Sequence, residues 1–230
     1  MTPLKAKDVW GHTASDLAER LVQIGDNRFS EHGDYAQYIQ EKEEQARQLN
    51  DRIQAQPHEI GLEIGSGTGV HTKYFASLSR HVFTVDVSSG YSDLFFETTR
   101  GILNISYQVR SFFPMFPNVE DGSADYGYSS AVFCHMTVYD IYLYFEELGR
   151  KIKSGGRFYL NYQNADHGPT PIFMHFVEEY RRGGEFTPIA PAQVQFHSNG
   201  FFENVADHHG FSIGTKTVIE GYSEYIFLRR

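Results

Sequence analysis

Cys134 is the only cysteine among 230 residues, so no intrachain disulfide can form and a cysteine-rich zinc site is excluded. Near the end of a strand, such a lone thiol reads as a small buried filler. Basic charge is also scarce. The 20 Lys and Arg face 29 Asp and Glu, for a formal net charge of −9, and no basic stripe is visible that would track phosphates. Arg181-Arg182 and Arg229-Arg230 are isolated pairs, so no nucleic-acid partner is expected. Long apolar runs are missing too: none approaches the ~18 residues of a membrane span, and the segment after Met1 has no apolar h-region. The expectation is no membrane partner and a cytoplasmic location. Clustered metal ligands are lacking as well. His208 and His209 are adjacent, so their side chains diverge in helix or strand, and no dedicated metal site is expected.

What is present fits one α/β domain with a substantial core. Hydrophobic residues make up 40% and aromatics 15%, including 15 Tyr and 19 Phe, enough for both a core and an aromatic-lined pocket. The most informative stretch runs from Leu62 to Val70: Leu-Glu-Ile-Gly-Ser-Gly-Thr-Gly-Val. An apolar strand end meets glycines at alternate positions and then a helical stretch over 71–78. Glycines there let the backbone bend and approach a ligand, while the free N–H groups of the next helix face an arriving anion. A dinucleotide fingerprint requires G-x-G-x-x-G, yet Val70 stands at the sixth position counted from Gly65, which weakens a nicotinamide reading.

The rest of the chain supplies a sheet in order. Strands are expected over 81–87, 105–109, 124–132 and 157–162, with a helix over 140–152 stopped by Lys153-Ser154-Gly155-Gly156. A last helix over 191–209 precedes a closing hairpin of 211–220 with 222–228. Asp86 ends the second strand, where a carboxylate can accept both hydroxyls of a ribose.

The pattern acidic-x-Gly-x-Gly-x-Gly from Glu63 to Gly69 resembles the first motif of the class I S-adenosylmethionine-dependent methyltransferases. The block from Phe145 to Leu160 resembles the leader helix that ends in Leu-Lys-Pro-Gly-Gly before their fifth strand, with Ile152 and Ser154 replacing Leu and Pro. The resemblance covers about residues 58 to 230. It implies a doubly wound, Rossmann-like, mostly parallel α/β sheet with a C-terminal antiparallel hairpin, and S-adenosylmethionine as cofactor. Glu63, Gly65, Ser66, Gly67 and Gly69 would form the turn that holds it, Asp86 and Val87 would lie at the ribose, and Ala131 would follow the fourth strand. The family often places an acid after the third strand to bond the adenine amino group. Here Arg110 and Ser111 stand there, leaving Ser111 for the adenine edge and Phe112 for its face.

Two segments lie outside the sheet and should decide the substrate. Residues 1–56 form a helical N-terminal cap on the 57–230 domain, with helices over 13–24 and 35–55. The charges Glu41, Lys42, Glu43, Glu44 and Arg47 read as a solvated face. Trp10, with Gly11, resembles a Trp-Gly pair of some small-molecule methyltransferases and is a candidate substrate contact. Residues 164–191 form an insertion with a helix opened by Thr170-Pro171 and closed by Gly183-Gly184, carrying Phe173, Phe176, Val177 and Tyr180 on one face. It reads as a lid hinged at its glycines and the 188–191 turn, although a homo-oligomer contact would use the same face.

A sulfonium methyl is already activated, so the enzyme's task is to position a nucleophile and exclude water. For a hydroxyl acceptor a base helps, and His135, just past the fourth strand, is the first candidate, with His167 second. Tyr139, Asp140 and Tyr162 lie on the same expected rim. The favoured activity is methyl transfer to a hydroxyl or amino group of a small metabolite of sugar or natural-product type. The alternatives are a noncatalytic protein of the same fold and an oxidoreductase with an atypical dinucleotide site.

Overall fold

The computed structural model describes residues 35–166, 168, 170–182, 194–219 and 221–230. Trp10, the helix expected over 13–24, His167 and the hinge residues 183–184 and 188–191 lie outside them.

Five strands follow one another in parallel: β1 (Ile60–Ile64), β2 (His81–Asp86), β3 (Ile105–Val109), β4 (Ala124–Ser129) and β5 (Ile152–Asn164). Near the C-terminus come β6 (Phe196–His197), β7 (Phe211–Ile219) and β8 (Tyr222–Arg229). The sheet order is β3-β2-β1-β4-β5-β8-β7, with β6 paired beside β5. This is the Rossmann-like fold expected, with β8 and β7 closing it as an antiparallel hairpin. All six residues of β4 and four of the five in β1 are buried, as central parallel strands covered on both faces require.

The helices are α1 (Tyr35–Ile53), α2 (Val70–Leu78), α3 (Ser92–Thr98), α4 (Val138–Lys151), α5 (Pro171–Arg182) and α6 (Asn199–His208). Leu49 and Ile53 of α1 join Phe75 and Ala76 of α2 in one buried cluster on one side of the sheet. Ile141, Phe145 and Leu148 of α4 meet Phe202 and Val205 of α6 in the larger core. Arg157 of β5 fixes the end of α1: its guanidinium donates to both Glu59 carboxylate oxygens at 2.9 and 2.7 Å, to the Gln54 carbonyl at 3.0 Å and to that of Ile53.

Several boundaries differ from the sequence expectation for local reasons. The fourth strand ends at Ser129 because Ala131 takes a left-handed φ of 58° and donates its amide to Asn161 Oδ1 at 2.6 Å. Helix α4 starts at Val138, where Thr137 and Asp140 form a reciprocal capping box. The last helix starts only at Asn199, because Ser198 caps it and Phe196–His197 pair with β5 instead. The short α3 and the 3₁₀ turn Phe133–His135 were not foreseen.

Candidate active site

The strand order reverses between β1 and β4, and at such a switch point the loops leaving the carboxyl ends of the two strands part to leave a crevice. The loop after β1 is the glycine turn. Gly67 has a φ of +50°, and a Cβ placed there would meet no atom within 4 Å, so the backbone faces open space. Its neighbours are packed: a Cβ at Gly65 would lie 2.3 Å from Val132, and one at Gly69 would lie 2.8 Å from Phe95. The Gly67 amide donates to Asp86 Oδ2 at 3.0 Å, and the Ser88 amide to Oδ1 at 3.0 Å. Burial pushes the Asp86 carboxyl above its ordinary value, opposed by these amides.

A cavity of about 1030 Å³ opens at this point. Of the expected cofactor residues, Gly65, Ser66, Gly67, Asp86, Val87, Ser111, Phe112 and Ala131 line it, and so do His135 and Tyr139. Three expected residues are not in its wall. Glu63 lies behind the turn, 2% exposed, accepting a hydrogen bond from the Thr72 hydroxyl, and burial pushes its carboxyl up to about 7. Gly69 serves the close approach to Phe95. Tyr162 shares the face of β5 that carries Phe158 and Leu160 into the core, where its ring stacks on Phe202 at 4.0 Å and its hydroxyl donates to Asn199. Asp140 does line the cavity, but its carboxylate is engaged by the Thr137 amide and hydroxyl.

Sequence reading missed other wall residues. Tyr38 and Lys42 of α1 reach the cavity, and the Tyr38 hydroxyl hydrogen-bonds the buried Thr68 hydroxyl of the glycine turn at 3.2 Å. Lys42 is therefore more than part of a solvated face, and no sequence signal separates it from its charged neighbours. His71 opens α2 beside the turn. Its Nε2 is buried without a partner among the described residues, and burial, aided by the Lys42 charge, depresses its pKa to about 3. Phe196 and His197 of β6 also line the cavity, and His197 Nε2 lies 3.2 Å from the Met136 carbonyl.

The family model described as "Methyltransferase domain" matches residues 62–160, the stretch from the glycine turn into β5. Over these residues the chain is similar to methyltransferase domains, the class that the glycine turn from Glu63 to Gly69 resembles. The fold agrees. Geranyl diphosphate C-methyltransferase from Streptomyces coelicolor A3(2), solved with Mg2+, geranyl diphosphate and S-adenosyl-L-homocysteine, superposes with a TM-score of 0.63 at 15% identity, covering 97% of this chain and 93% of its own. Magnesium protoporphyrin IX methyltransferase from Synechocystis PCC 6803, with bound S-adenosylhomocysteine, gives 0.62 at 14% identity, covering 92% and 93%. The YcgJ protein from Bacillus subtilis gives 0.59 at 18% identity over 76% and 72%. No curated protein sequence matches the chain.

The walls suit the cofactor of this class on their own geometry, with unfilled space against the Gly67 backbone and a carboxylate at the end of β2 on the same cavity. Among the described residues no group of three or more His, Cys, Asp or Glu is arranged to hold a metal, and no helix is long and apolar enough to cross a membrane.

Proposed function

We propose that the protein methylates a hydroxyl or amino group of a small metabolite, in the cytoplasm and without a nucleic-acid or membrane partner. The observation that carries this reading is the shared cavity: the Gly67 cradle, Asp86 and His135 all line one space of about 1030 Å³. Drug-sized ligands take sites of about 300–1,000 Å³, so a cavity at the top of that range has room for an acceptor beside the cofactor.

S-adenosylmethionine, when bound, supplies an activated methyl group whose transfer needs alignment more than further activation. Gly65, Ser66 and Gly67 hold its amino-acid and ribose portions on the turn, Asp86 with Val87 receives the ribose hydroxyls, and Ser111 and Phe112 meet the adenine. Glu63 and Gly69 shape the turn from behind. His135 takes the proton from a hydroxyl acceptor as the new bond forms.

Two further features support the reading. The rings of Phe173 and Phe176 on α5 pack edge-on against the wall residue Phe196, at 5.0 and 6.3 Å, which suits a lid over the acceptor. The contact between Tyr38 and Thr68 suits an N-terminal cap over the turn. The test is recovery of labelled methyl from S-adenosylmethionine on small hydroxyl and amine acceptors. Transfer to one of them is expected, and transfer only to protein or nucleic acid would refute the reading.

A further inference from the structure

The charge inventory of the cavity narrows the acceptor. Besides histidines, its described wall carries three charged residues, Lys42, Asp86 and Asp140, and each already has partners within the chain. Asp86 accepts two backbone amides, and Asp140 is held in its capping box. Lys42 Nζ donates to Gln45 at 3.1 Å and lies 5.6 Å over the Tyr38 ring. A phosphorylated acceptor would call for clustered cations, and a sugar for a ring of open hydrogen-bonding groups.

Alongside polar side chains such as Ser130, Thr137 and Gln195, the wall carries Phe113, Met136, Val138, Tyr139 and Phe196. At the same cavity stand large apolar side chains left in solvent: Phe112 is 65% exposed, Tyr139 79% and Val138 42%. Such a cluster around one opening marks a surface that gains by being covered with apolar area. Burial lowers the pKa of the His197 imidazole beside it below its ordinary value, opposed by the nearby Met136 carbonyl.

We propose that the acceptor is an uncharged, flat aromatic molecule bearing a hydroxyl, of the phenol class, received between Phe113, Tyr139 and Phe196 with its oxygen toward His135. This rests on the methyltransferase reading above. The phenolic oxygen forms the bond to the methyl carbon, the carbon–sulfur bond breaks with its electron pair going to sulfur, and the phenolic proton passes to His135 and then to solvent.

The test is calorimetry on the full chain, first with S-adenosylhomocysteine, then with three probes added to that complex: 2-naphthol, methyl glucoside and naphthyl phosphate. Naphthol is expected to bind. Val138→Asp, which places a charge at a helix start that favours it, and Tyr139→Ala, at an exposed position, should each weaken naphthol about tenfold or more, equivalent to about 1.4 kcal/mol, and leave S-adenosylhomocysteine within about twofold. Naphthol failing to bind, the other probes binding in preference, or both variants leaving naphthol unaffected would each overturn the aromatic acceptor and leave the methyltransferase reading standing. Failure of folded protein to take S-adenosylhomocysteine would overturn both.

Discussion

The Gly67 amide and the Asp86 carboxylate meet across 3.0 Å, tying the bend after β1 to the end of β2. One acid thereby shapes the turn and presents a carboxylate to the cavity. Replacing it tests both roles: Asp86→Ala should weaken S-adenosylmethionine by roughly 1.5–3 kcal/mol, the loss of a charged hydrogen-bond partner. Calorimetry showing unchanged affinity would remove Asp86 from the ribose.

Tyr38 and Thr68 link the first described helix to the same turn. Tyr38→Phe leaves the ring packed and strands the buried Thr68 hydroxyl, at a cost of about 1 kcal/mol. For a chain of this size that lowers Tm by roughly 2–4 °C. Unchanged melting would mean that the contact does not hold the helix against the turn.

Two buried groups give opposite pH dependences. Glu63 is lifted from 4.5 to about 7, so the folded state holds its proton more tightly. Its contribution is complete below pH 4.5 and lost as pH rises through 7, by about 3 kcal/mol in total. His71 is depressed from 6.5 to about 3, so its contribution is present above pH 6.5 and lost as pH falls toward 3. Between pH 4.5 and 6.5 the two slopes cancel in the native protein. Glu63→Gln should unmask a stability that rises with pH over that window, and His71→Asn one that falls. Denaturant titrations at pH 4.5, 5.5 and 6.5 check this, and parallel curves for all three proteins would contradict it.

His135→Ala should lower turnover by about 10²–10⁴, the usual contribution of a positioned base, with cofactor affinity unchanged. Full turnover in the variant would place the base elsewhere or show that none is used.

The central sheet was legible where parallel strands are short and followed by punctuation, as with the glycines after Ile64 and Asp86 at the end of β2, whereas Lys153-Ser154-Gly155-Gly156, expected to precede the fifth strand, lies inside the longer β5. The sequence periodicity also placed Leu49 and Ile53 of α1 on the buried face. What escaped notice depended on contacts between distant residues. Asn161 captures the Ala131 amide from 30 positions away and ends β4 early. Tyr162 looked like a rim residue because it lies near the end of a strand, yet strand alternation turns it into the core with Leu160. Lys42 reaches the cavity only because α1 packs on α2, a docking that its own sequence neighbourhood does not encode.

The most direct measurement is a calorimetric titration of S-adenosylmethionine into the native chain and Gly67→Val, each shown to be folded by circular dichroism. The open space beside Gly67 predicts one molecule bound per native chain and no binding to the variant, whose side chain would occupy the cofactor's place. A folded native chain that takes up no S-adenosylmethionine, or a folded variant that binds it equally well, would contradict the proposed site.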